Sequence, residues 1–583
     1  MSHQTRASRW LFAGFDASTQ GLTTQVIECG GGEPARVVYE HVINYERDLP
    51  QYGTRHGVLP SEDPRVAVAP PQMWADALEM AMARIASSGM DLSRLRAISG
   101  CAQQHGTVYL DAQGGFTRAT SPIWLDATTT VECDEITRAL GGDDAIARLT
   151  GSRAFERFAG PQIRRFAKTQ PEAYARTARI HLISSFLASL LVSSSIPGPK
   201  GPGLHPASAP GSEGPGLHDA AFNPGPEGPG LHGSGGPGLD DATGARDLQV
   251  PGDVLQVPGD VRLVDAPIDP GDGSGMSLMS LTTRDWDAAA LEATAPNLRA
   301  KLPPIASSDL VAGPLGARWR ERYGFPAVDV VVWTGDNSSS MIGSGVVEEG
   351  MLAISLGTSD TIFGPMRVPR VSANGEGHVF GSPAGDWMGI TVFANGSLAR
   401  ERVRDQYGMT WKEFSAALRS TPPGNGGALM LPWFGPEITP RVIHAGVHRL
   451  NLDEREAARN VRAIVEGQML AMATHARWMG VDVSTIYATG GASGNRDVLQ
   501  VMADVFNARV FPSPVRASGS LGAALRAWHA YDHAHGGAIS WPDVVRDLAT
   551  PDPATAIEPG PSATTVYPQM QRDYAAFESR HFS

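Results

Sequence analysis

The chain has 583 residues, of which 42% are hydrophobic and 19% charged, and its formal net charge is −13. This length predicts at least two domains, because single hydrophobic cores rarely grow much past about 250–300 residues. No basic stripe stands out in the sequence, which argues against nucleic acid as a partner.

The cysteines Cys29, Cys101 and Cys133 show no metal-ligand spacing, and their odd number argues against a disulfide framework. No apolar run reaches the roughly 20 residues that a membrane span needs, and we expect no signal peptide at the N-terminus. The sequence therefore predicts a cytoplasmic protein with no membrane partner.

Residues 10–194 predict mixed strands and helices. LFAGFD has the composition of a buried strand, and TTQVIE is its predicted hairpin partner across a turn over Ala17–Gly21. RLRAISGCAQQ predicts a strand that runs into a loop. The segment PQMWADALEMAMARIASS predicts a helix, because apolar residues recur at helical spacing at Trp74, Leu78, Met82 and Ile85.

Residues from about 195 to 262 differ from the rest of the chain. GPGLH occurs at 201, 214 and 228, GPGLD at 236, and VPGDV at 250 and 257. Such Gly/Pro repeats lack the apolar periodicity of a packed core. We predict a disordered surface insert without a specific function; the alternative is a tether that binds a partner.

The remaining chain again predicts alternating elements. VDVVVWTGDN predicts an apolar strand that ends in a polar turn, and MLAISLGTSDTIFG repeats the strand–turn–strand form of the N-terminus. STIYATGGASGNRDVLQVMADVF predicts a strand, a glycine turn and a helix capped by Asn495 or Asp497. Strands and helices mixed throughout indicate the α/β class.

Two hairpins carry a pattern suited to phosphate binding. In FDASTQGLTTQVIE, Asp16 ends a strand, and Ser18, Thr19 and Gly21 follow in a tight turn whose backbone N–H groups could approach a polyphosphate. Asp16 is a candidate ligand of Mg²⁺, which keeps much of its hydration shell. ISLGTSDTIF repeats the logic with Gly357 and Thr358. Taken alone, each hairpin is also consistent with an ordinary turn that binds no phosphate.

Two further turns follow strands. Gly490 and Gly491 would let a flat ring approach the backbone, with Asn495 as a hydrogen-bonding group for a purine or ribose. Asp336 follows the apolar strand VDVVVW, and a carboxylate at such a strand end faces a cleft in α/β folds. It could accept a hydroxyl proton during phosphoryl transfer. The alternatives are a glycine-rich connection and a turn or cap aspartate.

A polar group precedes the insert. His105 follows an apolar strand in GCAQQHG, and Arg153 and Arg157 lie among aromatic residues in SRAFERFAG. Such side chains donate hydrogen bonds to sugar hydroxyl and carbonyl groups. A structural histidine and a satisfied ion pair are the alternatives.

Taken in order, these motifs resemble the FGGY family of carbohydrate kinases. The resemblance rests on GFDASTQ, RDLPQYGT, SGCAQQHGTVY, SPIWLDATTT, LTGSRAFERFAGPQI, APIDPGDGSGM, TGDNSSSM, ISLGTSDT and ATGGASGNRDVLQ. It extends from about residue 11 to about residue 530, apart from the Gly/Pro-rich segment. Each motif alone is nonspecific, whereas the ordered set is specific.

The resemblance implies an actin-like, ribonuclease H-like ATPase fold whose two lobes flank a central cleft. It implies a sugar-binding N-terminal lobe at 10–345 and a nucleotide-binding C-terminal lobe at 346–583. The implied activity is ATP-dependent phosphorylation of D-xylulose to D-xylulose 5-phosphate, with Mg²⁺ as cofactor. The sugar and ATP are then the partners, and a homodimer stays open as the assembly.

The resemblance also implies residue roles. Asp336 matches the general base, which also contacts the sugar, and Asp16 matches the aspartate for Mg²⁺ and phosphate. The implied sugar contacts are His105, Arg157 and Asn337. The implied nucleotide contacts are Asp16, Thr19, Gly357, Thr358, Trp411, Gly490, Gly491, Ala492 and Asn495.

The sequence departs from the family pattern ahead of APIDPGDGSGM, where the Gly/Pro-rich insert stands in place of a short segment. PGD also replaces a more usual polar-Ser-Asp, so we expect Asp272 to support the site without being the base. Two alternatives stay open: a kinase for another ketose, a polyol or a sugar acid, and a non-catalytic sugar-sensing relative.

Overall fold

The computed structural model describes residues 9–193, 265–372, 375–513 and 515–581. The predicted disordered insert at 195–262 lies outside the described residues. Within the four described ranges, no helix is both long enough and apolar enough to cross a membrane.

Strands and helices alternate along the described chain. The strands are β1 (Arg9–Ala17), β2 (Gly21–Gly30), β3 (Arg36–Asn44), β4 (Val68–Ala69), β5 (Leu95–Ala102), β6 (Thr107–Leu110), β7 (Ser121–Pro122), β8 (Arg179–Leu182), β9 (Val311–Pro314), β10 (Asp329–Val331), β11 (Thr334–Gly335), β12 (Met351–Leu356), β13 (Asp360–Met366), β14 (Gly377–Gly381), β15 (Trp387–Phe393), β16 (Leu429–Trp433), β17 (Gly446–Leu450), β18 (Thr485–Thr489) and β19 (Arg509–Pro512). The α/β class predicted from the sequence is confirmed.

The α-helices follow the same chain order. They are α1 (Tyr45–Asp48), α2 (Pro71–Ala86), α3 (Thr130–Ala139), α4 (Asp143–Thr150), α5 (Ala159–Thr169), α6 (Pro171–Arg176), α7 (Ile183–Val192), α8 (Pro270–Gly273), α9 (Ala288–Thr294), α10 (Leu298–Lys301), α11 (Ala317–Tyr323), α12 (Asp336–Gly343), α13 (Ser397–Gln406), α14 (Trp411–Ser420), α15 (Ala457–His475), α16 (Arg496–Phe506), α17 (Ser518–Ala534), α18 (Trp541–Val545), α19 (Ser562–Thr565) and α20 (Tyr567–Glu578). The predicted helix α2 buries all four of its marker residues, Trp74, Leu78, Met82 and Ile85.

The first sheet has the strand order β3-β2-β1-β5-β10-β9, and β11 also pairs with β5. β1 and β2 form the predicted antiparallel hairpin. β1, β10 and β11 each run parallel to β5. The carboxyl ends of these parallel strands therefore meet at one edge of the sheet, where α/β folds place their ligand sites.

The second sheet has the order β14-β15-β13-β12-β18-β19. β12 and β13 form the second predicted hairpin, and β12 runs parallel to β18, which runs parallel to β19. In both sheets one strand therefore pairs antiparallel with its successor and parallel with a much later strand. The two halves of the fold repeat one plan.

One helix of the C-terminal part lies on the first sheet. α17 packs against β1, β5 and α12. The backbone of Ser520 and Ala524 approaches Gly14 so closely that a Cβ at Gly14 would overlap both. The predicted lobe boundary between residues 345 and 346 stays a prediction, because this helix joins the two parts.

The chain after VDVVVW differs from the sequence prediction. We predicted a polar turn at TGDN, whereas the structure starts helix α12 at Asp336. Ser338, Ser339, Met341 and Ile342 are buried in this helix, and Ser339 Oγ donates to Gly519 O at 2.8 Å in α17. Packing of small side chains against α17 therefore turns a polar-looking segment into a buried helix.

Candidate active site

Two carboxylates emerge from the first sheet on either side of one strand. The register places Asp16 of β1 beside Cys101 of β5, and it places Thr334 of β11 beside the same Cys101. Asp336 begins α12 directly after β11. Cys101 Sγ lies 3.5 Å from Asp16 Oδ1. Asp16 and Asp336 are thus neighbours at the sheet edge.

Asp336 is held by backbone groups on one of its two carboxylate oxygens. Oδ1 accepts from the N–H of Asn337 at 2.9 Å and from the N–H of Gln104 at 3.4 Å. The Asn337 amide Nδ2 also donates to Oδ1 at 3.2 Å. Within the described residues, Oδ2 accepts no hydrogen bond and no cation forms an ion pair with Asp336. One oxygen is oriented and the other is free to act.

Both carboxylates hold protons more tightly than usual. Burial raises the pKa of Asp336 to about 7, and repulsion from Asp16 adds to that rise. Burial also raises the pKa of Asp16 to about 6, although the hydrogen bond from Cys101 acts in the opposite direction. A carboxylate with a pKa near neutral can take a proton from an alcohol and release it again.

A side-chain network lies behind Asp336. Gln104 Oε1 accepts from Asn337 Nδ2 at 2.9 Å, and Gln104 Nε2 donates to the carbonyl of Gly271 at 2.9 Å. Next to Gly271, buried Asp272 accepts a hydrogen bond from Ser184 Oγ, and burial raises the pKa of Asp272 well above its usual range. Asp272 therefore lies next to this network, and its supporting role stays a prediction.

Thr19 points its hydroxyl toward the first sheet. Its Oγ1 accepts from the indole N–H of Trp124 at 2.8 Å and donates to Gln103 Oε1 at 3.3 Å. Trp124 itself is 37% exposed. The Thr19 hydroxyl thus has two protein partners, and the phosphate contact implied for Thr19 stays a prediction.

His105 and Arg157 lie together in an aromatic cluster. The ring centroids of His105 and Phe158 are 4.5 Å apart, and the Arg157 guanidinium lies 5.6 Å from the centroid of the Phe158 ring. Burial lowers the pKa of His105 well below its usual range, and the charge of Arg157 lowers it further. His105 is therefore neutral near pH 7, next to a permanent cation.

The second hairpin places Gly357 and Thr358 in the bend between β12 and β13. Asp360, which follows this bend, is buried and receives two hydrogen bonds from Arg400, at 2.8 and 3.1 Å. Arg400 also donates to Gln468 at 2.8 Å. Asp360 is thus neutralised below the bend, and the bend itself stays partly exposed.

The glycine turn lies at the same edge as this bend. β18 runs parallel to β12, and Thr489 pairs with Ser355, so Gly490 and Gly491 follow directly beside Gly357. Gly490 has a φ of +83°, and a Cβ there would lie 2.6 Å from the carbonyl oxygen of Leu356. Gly491 faces open space. Only the second glycine therefore leaves room for a ligand.

Two other predicted nucleotide residues are linked by one hydrogen bond. Asn495 Nδ2 donates to Ser415 Oγ at 2.9 Å, and Ser415 lies one helical turn after Trp411 in α14. Asn495 Oδ1 caps α16 by accepting from the N–H groups of Asp497 and Val498. The cap prediction is confirmed for Asn495. Trp411 is 43% exposed, and Ala492 is partly buried against the hydrophobic core.

The structure thus gathers the predicted residues into two groups. The part of the chain before residue 346 carries Asp16, Thr19, His105, Arg157, Asp336 and Asn337, and the part after it carries Gly357, Thr358, Trp411, Gly490, Gly491, Ala492 and Asn495. Sequence reasoning missed Gln104, Trp124 and His378, each of which contacts a predicted residue. The first two lie inside quoted motifs, whereas nothing in the sequence marks His378.

The donor set suits a weakly held hard cation. Among the described residues, no three His, Cys, Asp or Glu side chains cluster as a metal cage would need. Asp16 is a carboxylate whose pKa is raised by burial beside a second carboxylate, so a nearby cation would relieve an electrostatic cost. Mg²⁺ is commonly held by one or two carboxylates, waters and substrate phosphates, and needs no such cage.

Two family models match the chain. The N-terminal domain of the FGGY family of carbohydrate kinases matches residues 26–195, and its C-terminal domain matches residues 352–531. The chain is 35% identical to the xylulose kinase of Rattus norvegicus, over 99% of this chain and 98% of that protein.

Solved structures show the same fold at low identity. A kinase from Brucella ovis, called a xyloylose kinase, superposes with a TM-score of 0.71 at 19% identity, covering 98% of this chain and 99% of that one. A gluconate kinase from Lactobacillus acidophilus gives a TM-score of 0.73 at 16% identity, covering 98% of each chain. The predicted two-lobed actin-like ATPase fold is confirmed. The chain belongs to the FGGY family of carbohydrate kinases.

Proposed function

We propose that this chain transfers the γ-phosphoryl group of ATP to D-xylulose, yielding D-xylulose 5-phosphate and ADP. The observation that carries the proposal is the state of Asp336: it stands at a strand end with one oxygen oriented and the other free, and burial raises its pKa to about 7. Identity of 35% with a xylulose kinase over 99% of the chain supports the choice of sugar.

Asp336 acts as the general base in this proposal. Its free oxygen takes the proton from the terminal hydroxyl of the ketose, and the resulting oxygen attacks the γ-phosphorus in line. Phosphoryl transfer depends mainly on positioning and charge stabilisation, so one well-placed base suffices. The contacts from Asn337 and Gln104 to Oδ1 keep the carboxylate from rotating.

The polar groups beside Asp336 bind the sugar. Asn337 lies next to the base, and His105 and Arg157 present donors from the aromatic cluster. Arg157 is a permanent donor, whereas neutral His105 both donates and accepts. Such a mixed set suits a ketose, which offers one carbonyl and several hydroxyl groups.

The second sheet binds ATP in this proposal. Gly357 and Thr358 present backbone groups to the phosphates, and Gly491 leaves room for the adenosine. Trp411, which is 43% exposed, begins the helix whose Ser415 accepts a hydrogen bond from Asn495, and the Arg404 guanidinium lies 4.6 Å from the centroid of its ring. Gly490 and Ala492 shape this turn through the backbone and through packing.

Asp16 is the proposed ligand of Mg²⁺. Thr19 is proposed to lie near the phosphates. The cation supplies neutralisation of the phosphate charge when it is bound. Asp16 is partly exposed at the carboxyl end of β1 and forms no ion pair among the described residues, so its carboxylate is available.

The free, buried thiols of Cys29, Cys101 and Cys133 support a reducing, cytoplasmic location.

An assay of ADP release tests the proposal. We expect ADP release that depends on D-xylulose and on Mg²⁺, and little release with ATP alone. D-ribulose, glycerol and gluconate are tested as alternative phosphoryl acceptors, each at the same concentration as D-xylulose. ADP release that is faster with one of these than with D-xylulose would contradict the assigned sugar, and none with any sugar would contradict catalysis.

A kinase for a sugar acid is the second candidate. The structural match to a gluconate kinase and the permanent charge of Arg157 favour it, since a guanidinium binds a carboxylate well. His378 opposes it, because this residue already occupies one guanidinium nitrogen of Arg157. The gluconate arm of the same assay separates the two.

A further inference from the structure

The proposed sugar contact Arg157 is held by a histidine from the other half of the chain. Arg157 Nη2 lies 3.0 Å from Nε2 of His378, and His378 Nδ1 lies 3.0 Å from Ser152 Oγ. Arg157 and Ser152 fall within the region matching the N-terminal family domain, and His378 falls within the region matching the C-terminal domain. This contact therefore crosses between the two family domains.

The hydrogen bonds assign the histidine tautomer. A guanidinium only donates hydrogen bonds, so Nε2 of His378 must accept and must lack a proton. Nδ1 then carries the proton and donates it to Ser152 Oγ. Burial lowers the pKa of His378 well below its usual range, and the charge of Arg157 lowers it further, which keeps the ring neutral. Arg157 thus selects the tautomer, and Ser152 accepts the hydrogen bond from the Nδ1–H that results.

Aromatic rings hold this histidine in place. His378 packs against Phe155, Phe158 and Phe380, with centroids 4.9, 5.6 and 5.9 Å away. Phe158 and Phe380 also contact His105, at 4.5 and 6.3 Å. Both proposed sugar contacts from this side, His105 and Arg157, therefore rest on the same cluster.

The backbone around His378 is fixed to the first half as well. The N–H of Val379 donates to the carbonyl of Gly151 at 3.0 Å, and Arg153 Nη2 donates to the carbonyl of Gly375 at 3.0 Å. β14 is the edge strand of the second sheet, so its outer side is available for this docking. The position of His378 therefore depends on how the two halves meet.

We infer that His378 is a positioning residue for the sugar site: its Nε2 orients the Arg157 guanidinium toward the ketose and so makes ketose affinity depend on the contact between the two halves. The inference rests on the proposed function, because it takes Arg157 as a sugar contact. It adds a residue from the nucleotide-binding half to a site that the sequence placed wholly in the first half.

Two substitutions separate orientation from packing. His378→Phe keeps an aromatic ring in the cluster but removes the acceptor, leaving one Arg157 nitrogen unpaired. His378→Gln provides an amide oxygen that reaches the region of Nε2. We expect His378→Phe to raise the KM for D-xylulose about 10-fold, since a buried charged donor loses its acceptor, with kcat and the KM for ATP changing less than about 2-fold. His378→Gln should recover most of the loss.

A third variant guards against misfolding. Ser152→Ala leaves the aromatic packing of His378 intact but removes the acceptor of Nδ1–H, so the buried N–H loses its partner and the ring is held less firmly toward Arg157. We expect its KM for D-xylulose to rise about 3-fold, with an unchanged Tm. Isothermal titration of D-xylulose without ATP should show the same order of dissociation constants, with His378→Phe weakest.

The outcomes distinguish the two proposals. A folded His378→Phe variant with the wild-type KM for D-xylulose would overturn the inference and leave the proposed function standing. Equal rises in the KM values for sugar and ATP would also overturn it, because they would mean general damage to the contact between halves. Absence of xylulose-dependent ADP release by the unchanged chain would instead overturn the proposed function, and the inference with it.

Discussion

The two hairpins at the sheet edges have similar sequences but treat their aspartates in opposite ways. Asp16 is the last polar residue before the first turn, and among the described residues it has no cationic partner. Asp360 comes directly after the second turn and is buried against Arg400. One carboxylate is available to ligands and the other supports the turn. The side of the turn on which an acidic residue stands therefore decides its role.

This difference also separates the edges chemically. The first edge carries two carboxylates, and the charge of Asp16 adds to the rise in the pKa of Asp336. The second edge carries the partly exposed bend at Gly357 and the glycine turn at Gly490. The proposed proton acceptor and the proposed phosphate-binding bend thus stand on two copies of one strand plan.

Replacing the proposed base should have the largest effect. Asp336→Asn keeps the shape and removes the proton acceptor, so we expect kcat to fall about 10²–10⁴-fold, the usual contribution of a general base. Binding of ADP, measured by titration calorimetry, should stay near wild type, and the Tm should not fall. Near-normal turnover in this variant would refute the assignment of the base.

Replacing the buried Asp360 should lower the free energy of unfolding. It should not disable a single chemical step. Asp360→Asn leaves Arg400 with an unneutralised buried charge, so we expect the free energy of unfolding to drop by about 3–5 kcal/mol in urea titrations. Glu558→Gln, which breaks the exposed pair with Arg509, is the matched control and should cost about 0–1 kcal/mol. Equal losses in both would contradict a special role for Asp360.

Adjacent glycines at the second edge should respond differently to the same added methyl group. Gly490→Ala meets the Leu356 carbonyl at a positive φ, so we expect a loss of about 1–3 kcal/mol of stability. Gly491→Ala enters open space and should keep its stability, but raise the KM for ATP about 10-fold, or 1.4 kcal/mol. A wild-type KM for ATP in Gly491→Ala would place the nucleotide elsewhere.

The acid limb of the pH profile tests the proposed base without any substitution. The raised pKa means that Asp336 takes up a proton as pH falls through about 7, whereas an ordinary aspartate would stay ionised. Because the base must be ionised, kcat/KM for D-xylulose should fall about 10-fold per unit below that point. Asp16 and Asp336 titrate together, so the midpoint belongs to the pair. A flat profile down to pH 5 would contradict this prediction.

Local patterns were enough to predict much of the fold. The hairpins at Asp16 and Thr358, the helix carrying Trp74 and the cap at Asn495 follow from apolar spacing and turn chemistry within short windows. The sequence placed Asp16 and Asp336 each at the end of a strand, and the pairing of both strands with β5 brings them together. The residue roles stay proposals, because a turn residue and a ligand residue share the same local pattern.

Contacts between distant segments could not be predicted. Arg157 and His378 are separated by 221 positions, and neither local sequence indicates the other. The helix that begins at Asp336 was predicted as a turn, because its serines are polar in sequence and are buried only by packing against α17. Burial and pairing across the chain thus decide what local composition leaves open.

The placement of α17 on the first sheet means that a sheet begun by residues 9–17 is covered by residues synthesised about 500 positions later. Arg526 of this helix donates hydrogen bonds to the carbonyls of Gly100, Ser308 and Val332. Three backbone carbonyls of the first half therefore take a hydrogen bond from this late helix. The N-terminal part therefore cannot reach its final packing during synthesis until residues beyond 518 have emerged. Premature termination before that helix would remove the cover from the strand that carries Asp16.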